Sequence, residues 1–132
     1  MPIDRDNQWT SNIQFILDYA NKQNDNGNPF PVWATCLSFE AILYLSSGRK
    51  DNMTVLTEVF GQKGLTDNLT VKSNNSILLK SLNAKEYQEV TTGSGLLWFH
   101  HRWSITLDTY RNTPGINQAW RLISTSFTGD GV

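Results

Sequence analysis

Apolar positions recur along this chain in two registers, one helical and one alternating, and the stretches between them are polar. Trp9, Ile13, Ile16, Leu17 and Ala20 fall three and four residues apart, the stripe of an amphipathic helix. Thr10 or Ser11 is the expected cap, and the helix should run to about Lys22. Residues 21–29, NKQNDNGNP, are turn formers and should cross the surface. Residues 30–48, FPVWATCLSFEAILYLSSG, then read as strand, tight turn and helix. Phe30, Val32 and Trp33 are strand formers, with Pro31 near the start where no ladder hydrogen bond is required. Leu37, Ala41 and Leu45 recur at helical spacing, Phe39, Ile42 and Leu43 widen the stripe, and Gly48 suits a left-handed stop.

The second half is patterned more weakly. Residues 54–60 fit a short strand, 61–68 a loop, and 68–71 another strand. Ile77, Leu78, Leu79 and Leu82 could line a short helix, and residues 84–90 hold polar helix formers that suit a helical turn or a loop. Residues 91–95, TTGSG, read as a loop. Residues 96–99 and 104–107 look like strand pieces on either side of a polar break. Pro114-Gly115 marks a turn within 111–118, and residues 120–127 suit a final strand. An α/β domain follows, although one βα unit does not by itself fix a parallel sheet.

Composition narrows the partners more than the fold. The 132 residues, 39% hydrophobic and 17% charged, suit one packed domain. A net charge of −1 gives no electrostatic case for nucleic acid or an anionic membrane, and no apolar run is long enough to span a bilayer. A single cysteine excludes an internal disulfide framework. The first residues, MPIDRDNQWTS, contain no apolar leader segment, so no signal peptide is expected and the compartment stays open. Sequons at Asn52, Asn68 and Asn74 matter only in a secretory pathway.

That one cysteine, Cys36, falls where the expected strand turns into the expected helix. A helix N-terminus presents positive dipole and free N–H groups, which favour a thiolate, the nucleophilic form. A sharp strand-to-helix turn also holds a nucleophile out toward substrate. The spacing is met equally by a small buried hydrophobe, because many strands lead into helices.

The wording of the stretch separates these readings. FPVWATCLSFE resembles the nucleophile segment of the γ-glutamyl hydrolase family, which usually reads like FPVWGTCLGFE; Ala34 and Ser38 stand where that family has glycine. The resemblance implies a class I glutamine-amidotransferase-like, flavodoxin-like α/β sandwich with helices packed on a parallel sheet. It implies hydrolysis of γ-glutamyl bonds in folate polyglutamates through a thioester on Cys36, without a cofactor. Glu40, one helical turn past Cys36, would recognise the α-amino end of a γ-linked glutamate; an acid stabilised by the helix dipole fits the same place. An amidotransferase would carry Gln there.

Residues 99–104, FHHRWS, resemble a second family segment like FHKWS, with one histidine more. Matching on the basic–Trp–Ser end makes His101 the family histidine, and matching on Phe99 makes it His100; His101 is preferred. It would hydrogen-bond substrate or help hold the thiolate. Arg102 could draw a substrate carboxylate and is equally well read as a solvated cation. Adjacent histidines and one distant cysteine do not reproduce a zinc spacing.

The family's WHPE-like His–Glu segment and its glycine-rich PGG segment do not occur in these residues. The expectation is therefore a single incomplete domain over residues 1–132, part of a longer enzyme. The rival is a truncated or degenerate relative that binds without catalysis. Unpaired sheet edges would favour self-association. The family also suggests a vacuolar, lysosomal or extracellular setting.

Overall fold

A computed structural model describes residues 7–48, 55–59, 65–93 and 97–126. Helix α1 (Gln8–Asp25) is capped by Asn7, whose side chain accepts from the N–H groups of Trp9 and Thr10. Thr10 answers by accepting from the Asn7 N–H at 2.9 Å, closing a capping box. The cap therefore lies three residues before the expected Thr10, which serves as its reciprocal partner. Ile13 and Leu17 face the core as expected and Ala20 is buried, while Ile16 stays exposed.

Helix α2 (Leu37–Ser46) is the hub of the fold, with every residue from Glu40 to Leu45 buried. A helix that is apolar all round needs neighbours on more than one side. Ala41, Tyr44 and Leu45 pack against Ile13 and Leu17 of α1. Leu43 turns to Val55, Leu56 and Ile116, with Trp103, Ile105 and Tyr110 around them. Gly48 takes φ +80°, the left-handed stop that the sequence suggests.

The segment before α2 departs from expectation. Residues 30–35 carry no ladder pairing, and Trp33 is 79% exposed. The side-chain amide of Asn24 takes the place of a neighbouring strand. Its Oδ1 accepts from the Phe30 N–H at 2.8 Å and its Nδ2 donates to the Phe30 carbonyl at 3.3 Å. Tyr19 meets the Phe30 ring edge-on at 5.3 Å.

Among the described residues six short strands form three antiparallel ladders. Strand β1 (Thr57–Glu58) pairs with β5 (Trp103–Ser104), β2 (Leu65–Asp67) with β4 (Leu97–Phe99), and β3 (Thr70–Val71) with β6 (Ser124–Thr125). The architecture is mixed helix and strand, compatible with an α/β class; among the described residues no ladder is parallel. Residues 65–67 are strand where a loop is expected, because their partners in β4 run from Leu97, opposite Asp67, to Phe99, opposite Leu65, far along the chain.

Four shorter helices follow among the described residues. Helix α3 (Ile77–Lys80) is capped by Ser76. Helix α4 (Ala84–Thr92) starts in a capping box of Asn83 with Glu86 and carries on through the first residues of the expected TTGSG loop. Helix α5 (Leu107–Asn112), capped by Thr106, occupies the end of the expected 104–107 strand. Pro114 opens helix α6 (Pro114–Ala119), where an absent N–H costs nothing. The Pro–Gly pair thus marks a helix start. Gly115 packs on the end of α2, where a Cβ would run into the carbonyl oxygen of Ser46. The expected final strand shrinks to β6, and Thr54, Phe60, residues 61–64 and Asn52 lie outside the described residues.

Candidate active site

The elbow is visible in the backbone of Cys36. It caps α2 with φ 55° and ψ −122°, the one left-handed non-glycine residue among those described. A side chain at positive φ is held there against a steric cost of about 1–2 kcal/mol. The turn is closed by Ser38 N–H to the Thr35 carbonyl at 3.2 Å and Glu40 N–H to the Cys36 carbonyl at 3.1 Å. The Cys36 sulfur makes no capping hydrogen bond, and the residue is exposed. Neither Ala34 nor Ser38 has positive φ, so their methyl and hydroxymethyl groups are compatible with this turn.

A cavity of about 290 Å³ opens beside the elbow. From the α2 side it is lined by Thr35, Cys36, Phe39 and Glu40, and from the β4–β5 side by residues including Trp98, both histidines and Trp103. Two stretches some sixty residues apart, each picked out in the sequence, therefore meet at one site.

Glu40 is 8% exposed, and its Oε2 has no hydrogen-bond partner among the described residues. Loss of solvent on burial raises its carboxyl pKa above the ordinary value. A buried oxygen left without a donor is costly, and it marks where a ligand N–H or O–H would be held.

The histidines are set apart by their partners. His101 Nδ1 lies 3.1 Å from the Trp103 carbonyl oxygen. A carbonyl only accepts, so this contact requires a proton on Nδ1 and leaves the lone pair of the neutral ring on Nε2. Phe99 meets the same ring edge-on at 5.8 Å. His100 instead stacks on Trp98, with centroids 4.9 Å apart.

Arg102 does not line the cavity. Its Nε donates to the Glu58 carboxylate, joining β1 to the end of the histidine turn, and its guanidinium lies 5.9 Å from the Trp103 ring centre. Among the described residues no three acidic, histidine or cysteine side chains gather as a metal site, and no helix is long and apolar enough to cross a membrane. Asn68 donates from Nδ2 to the Gly93 carbonyl at 2.9 Å, whereas Asn74 is exposed. Sequence reasoning passed over Trp98 and Phe39 as lining residues. The signal available was the i, i+2 alternation in WFHH, which puts alternate rings on one strand face.

No protein-family model matches the chain. Among curated proteins it is similar to the γ-glutamyl hydrolase of Mus musculus, 25% identical over 124 residues that make up 94% of this chain and 38% of that protein. The γ-glutamyl hydrolase of Rattus norvegicus is 29% identical over 80% of the chain and 32% of its own length. γ-Glutamyl hydrolase B of Dictyostelium discoideum is 25% identical over 90% of the chain and 33% of its own length. The chain spans about a third of the length of these curated relatives. The likeness to γ-glutamyl hydrolases runs through most of this chain's own residues, at 25–29% identity.

Proposed function

We propose that this chain carries the nucleophile and the glutamyl-binding part of a hydrolase for γ-glutamyl bonds, with folate poly-γ-glutamates as the substrate class. The observation that carries the reading is the left-handed Cys36 at the head of α2, sharing a cavity with Glu40, whose buried Oε2 has no hydrogen-bond partner among the described residues. The fold that goes with it is the glutamine-amidotransferase-like sandwich, of which these elements would be a part.

The chemistry balances as acyl transfer. The Cys36 sulfur attacks the γ-carbonyl carbon, forming a C–S bond while the thiol proton passes to a base. The carbonyl oxygen carries the negative charge of the tetrahedral species. First-turn N–H groups of a helix lack intrahelical partners and suit that charge. The C–N bond then breaks, and the leaving nitrogen takes the proton. Water attacks the thioester, the C–S bond breaks, and the γ-carboxylic acid leaves as the sulfur regains a proton.

His101 fits substrate hydrogen bonding or proton handling because the Trp103 carbonyl fixes its Nδ1 proton and leaves Nε2 available. Glu40 fits the α-nitrogen of the γ-linked glutamate, which donates whether it is an ammonium at a chain end or an amide within a chain. Arg102, joined to Glu58 and outside the cavity, fits at most the outer approach of a carboxylate.

The test is glutamate release from a γ-glutamyl peptide by the chain and by the chain joined to WHPE-like and PGG-like segments, each with a Cys36→Ala control. Intact-mass detection of an acyl adduct on Cys36 accompanies it. Turnover by the joined protein that vanishes in Cys36→Ala supports the reading. Turnover that survives Cys36→Ala overturns it. Binding without turnover in both forms favours the non-catalytic relative.

A further inference from the structure

Two adjacent histidines reach one cavity, and they are held differently. His101 Nδ1 is tied to the Trp103 carbonyl oxygen at 3.1 Å, whereas His100 lies stacked on Trp98. The turn that carries them runs between two ladders. Residues 97–99 pair with β2 and residues 103–104 with β1, while residues 100–102 lie between, outside the described ladders. A one-residue slip of a strand turns its side chains to the opposite face. A slip of β5 would therefore take Trp103 away from His101. The two residue pairs of the β1–β5 ladder are a short guard against that slip.

Arg102 adds a second fixing point in the middle of the turn. Its carbonyl oxygen accepts from the Val59 N–H at 2.8 Å, and its Nε donates to the Glu58 carboxylate. Both contacts come from consecutive residues of one segment, and that segment is well seated, with Val55, Leu56 and Val59 all buried. Glu58 also stands opposite Trp103 in the ladder, the residue whose carbonyl ties His101. His101 and Trp103 line the cavity, and Arg102 between them does not. A cation held outward by a directional, charge-assisted bond fixes which way its two neighbours face.

We propose that Glu58, acting through Arg102, is a positioning residue that makes His101, rather than His100, the carbonyl-tied histidine of the site. Glu58 lies outside the cavity and takes no part in bond breaking. What the histidine does in hydrolysis rests on the γ-glutamyl reading above; its positioning rests on the contacts alone. The Arg102 side chain is 72% exposed, so the pair is an exposed one. Such a pair shifts the balance between tied and released His101 by about 1.5- to fivefold.

Nitrogen-15 NMR of the imidazole rings tests it, at a pH well above the ordinary imidazole range, where the ratio of the two neutral tautomers is read directly. The chain has two histidines, so a His100→Gln spectrum assigns His101. In the unaltered chain His101 should carry its proton mainly on Nδ1, as a carbonyl partner requires. In Glu58→Ala the Nδ1–H to Nε2–H ratio should fall about 1.5- to fivefold with the circular dichroism spectrum unchanged. Glu58→Gln, whose amide oxygen still accepts from Arg102, should keep part of the ratio. Exchanging the charges, Glu58→Arg together with Arg102→Glu, should recover more of it than either single change leaves. High salt should lower the ratio in the unaltered chain and leave Glu58→Ala unmoved. A merely structural role would lower stability without moving the tautomer. An Nε2–H majority in the unaltered chain, a ratio that Glu58→Ala leaves in place, or a charge exchange that recovers nothing overturns the assignment. If Glu58→Ala does not fold, the Glu58→Gln variant and the salt series decide by the same criterion. If the ratio follows Glu58 while His101→Ala leaves turnover by the joined protein intact, the positioning stands and the hydrolytic role of His101 falls.

Discussion

Residues 35–40 reach the cavity from the head of a helix whose residues 40–45 are all buried, whereas residues 98–104 reach it from ladders only two and three residue pairs long. The first wall is seated by apolar packing: Ala41 and Ile116 are wholly buried on two flanks of α2. The second is seated by backbone pairing, by Trp103 against the core and by the exposed Arg102–Glu58 pair. Packing of this kind contributes about 1.5–3 kcal/mol per large side chain, an exposed ion pair about 0–1. The nucleophile therefore sits on the stiffer wall and the histidines on the more yielding one. A reaction that fixes its nucleophile and lets the substrate-contacting side adjust can use that difference.

The sharpest way to break the comparison is to remove the seat of the helix. Ile116→Ala empties a fully buried site beneath Leu43 and should cost about 2–5 kcal/mol in denaturant unfolding. Gly115→Ala strikes the same interface by driving a methyl group into the Ser46 carbonyl, at a cost of about 1–3 kcal/mol. Ile77→Ala, at a residue 90% exposed, should stay within about 0.5 kcal/mol. Equal losses at Ile116 and Ile77 would show that α2 is not seated as described.

On the other wall, Glu58→Ala removes the partner of Arg102. Because the arginine side chain is 72% exposed, the loss should be only about 0.2–1 kcal/mol and should shrink in high salt. A loss matching that of Ile116→Ala would reverse the ranking of the two walls.

Glu40 gives the comparison a pH axis. Burial raises its carboxyl pKa in the folded chain, so the folded state holds the proton more tightly than the unfolded state. Between the unfolded and folded values the folded state binds more protons, and stability falls as pH rises through that window. Glu40→Gln should flatten this fall, read as unfolding midpoint against pH from just below the ordinary carboxyl range upward. A fall of the same steepness in Glu40→Gln would mean that another group carries it.

The same contrast explains what the sequence made legible. Helix α2 and its stop at Gly48 were readable because burial of residues 41–45 leaves a continuous apolar run there and a left-handed stop favours glycine. The ladders were harder because each strand depends on a partner far along the chain, as Leu65 does on Phe99. Residues 30–33 have strand composition, yet Asn24 occupies the Phe30 backbone, and composition alone does not reveal that competition. Pro114-Gly115 misled because a proline opening a helix and a proline in a turn look alike locally. At the site, Cys36, Glu40 and both histidines were singled out and do share a cavity, while Trp98 was overlooked for want of a chemical motif.

The finest test lies within the elbow itself. The strained residue is Cys36, and its neighbours at 34 and 38 are not in the left-handed region. Cys36→Gly should therefore relieve the positive φ and raise stability by up to about 1 kcal/mol, even as it removes the sulfur. Ala34→Gly and Ser38→Gly have no such strain to relieve. They only loosen the unfolded chain and should lower stability by about 0.4–1 kcal/mol each. Iodoacetamide alkylation of Cys36, followed against pH, should be nearly the same with either glycine as with the native residues. A clear rise in alkylation rate with glycine at both positions would show that the two side chains hold the sulfur back, and that the turn seen here is less favourable to the nucleophile than one flanked by glycine.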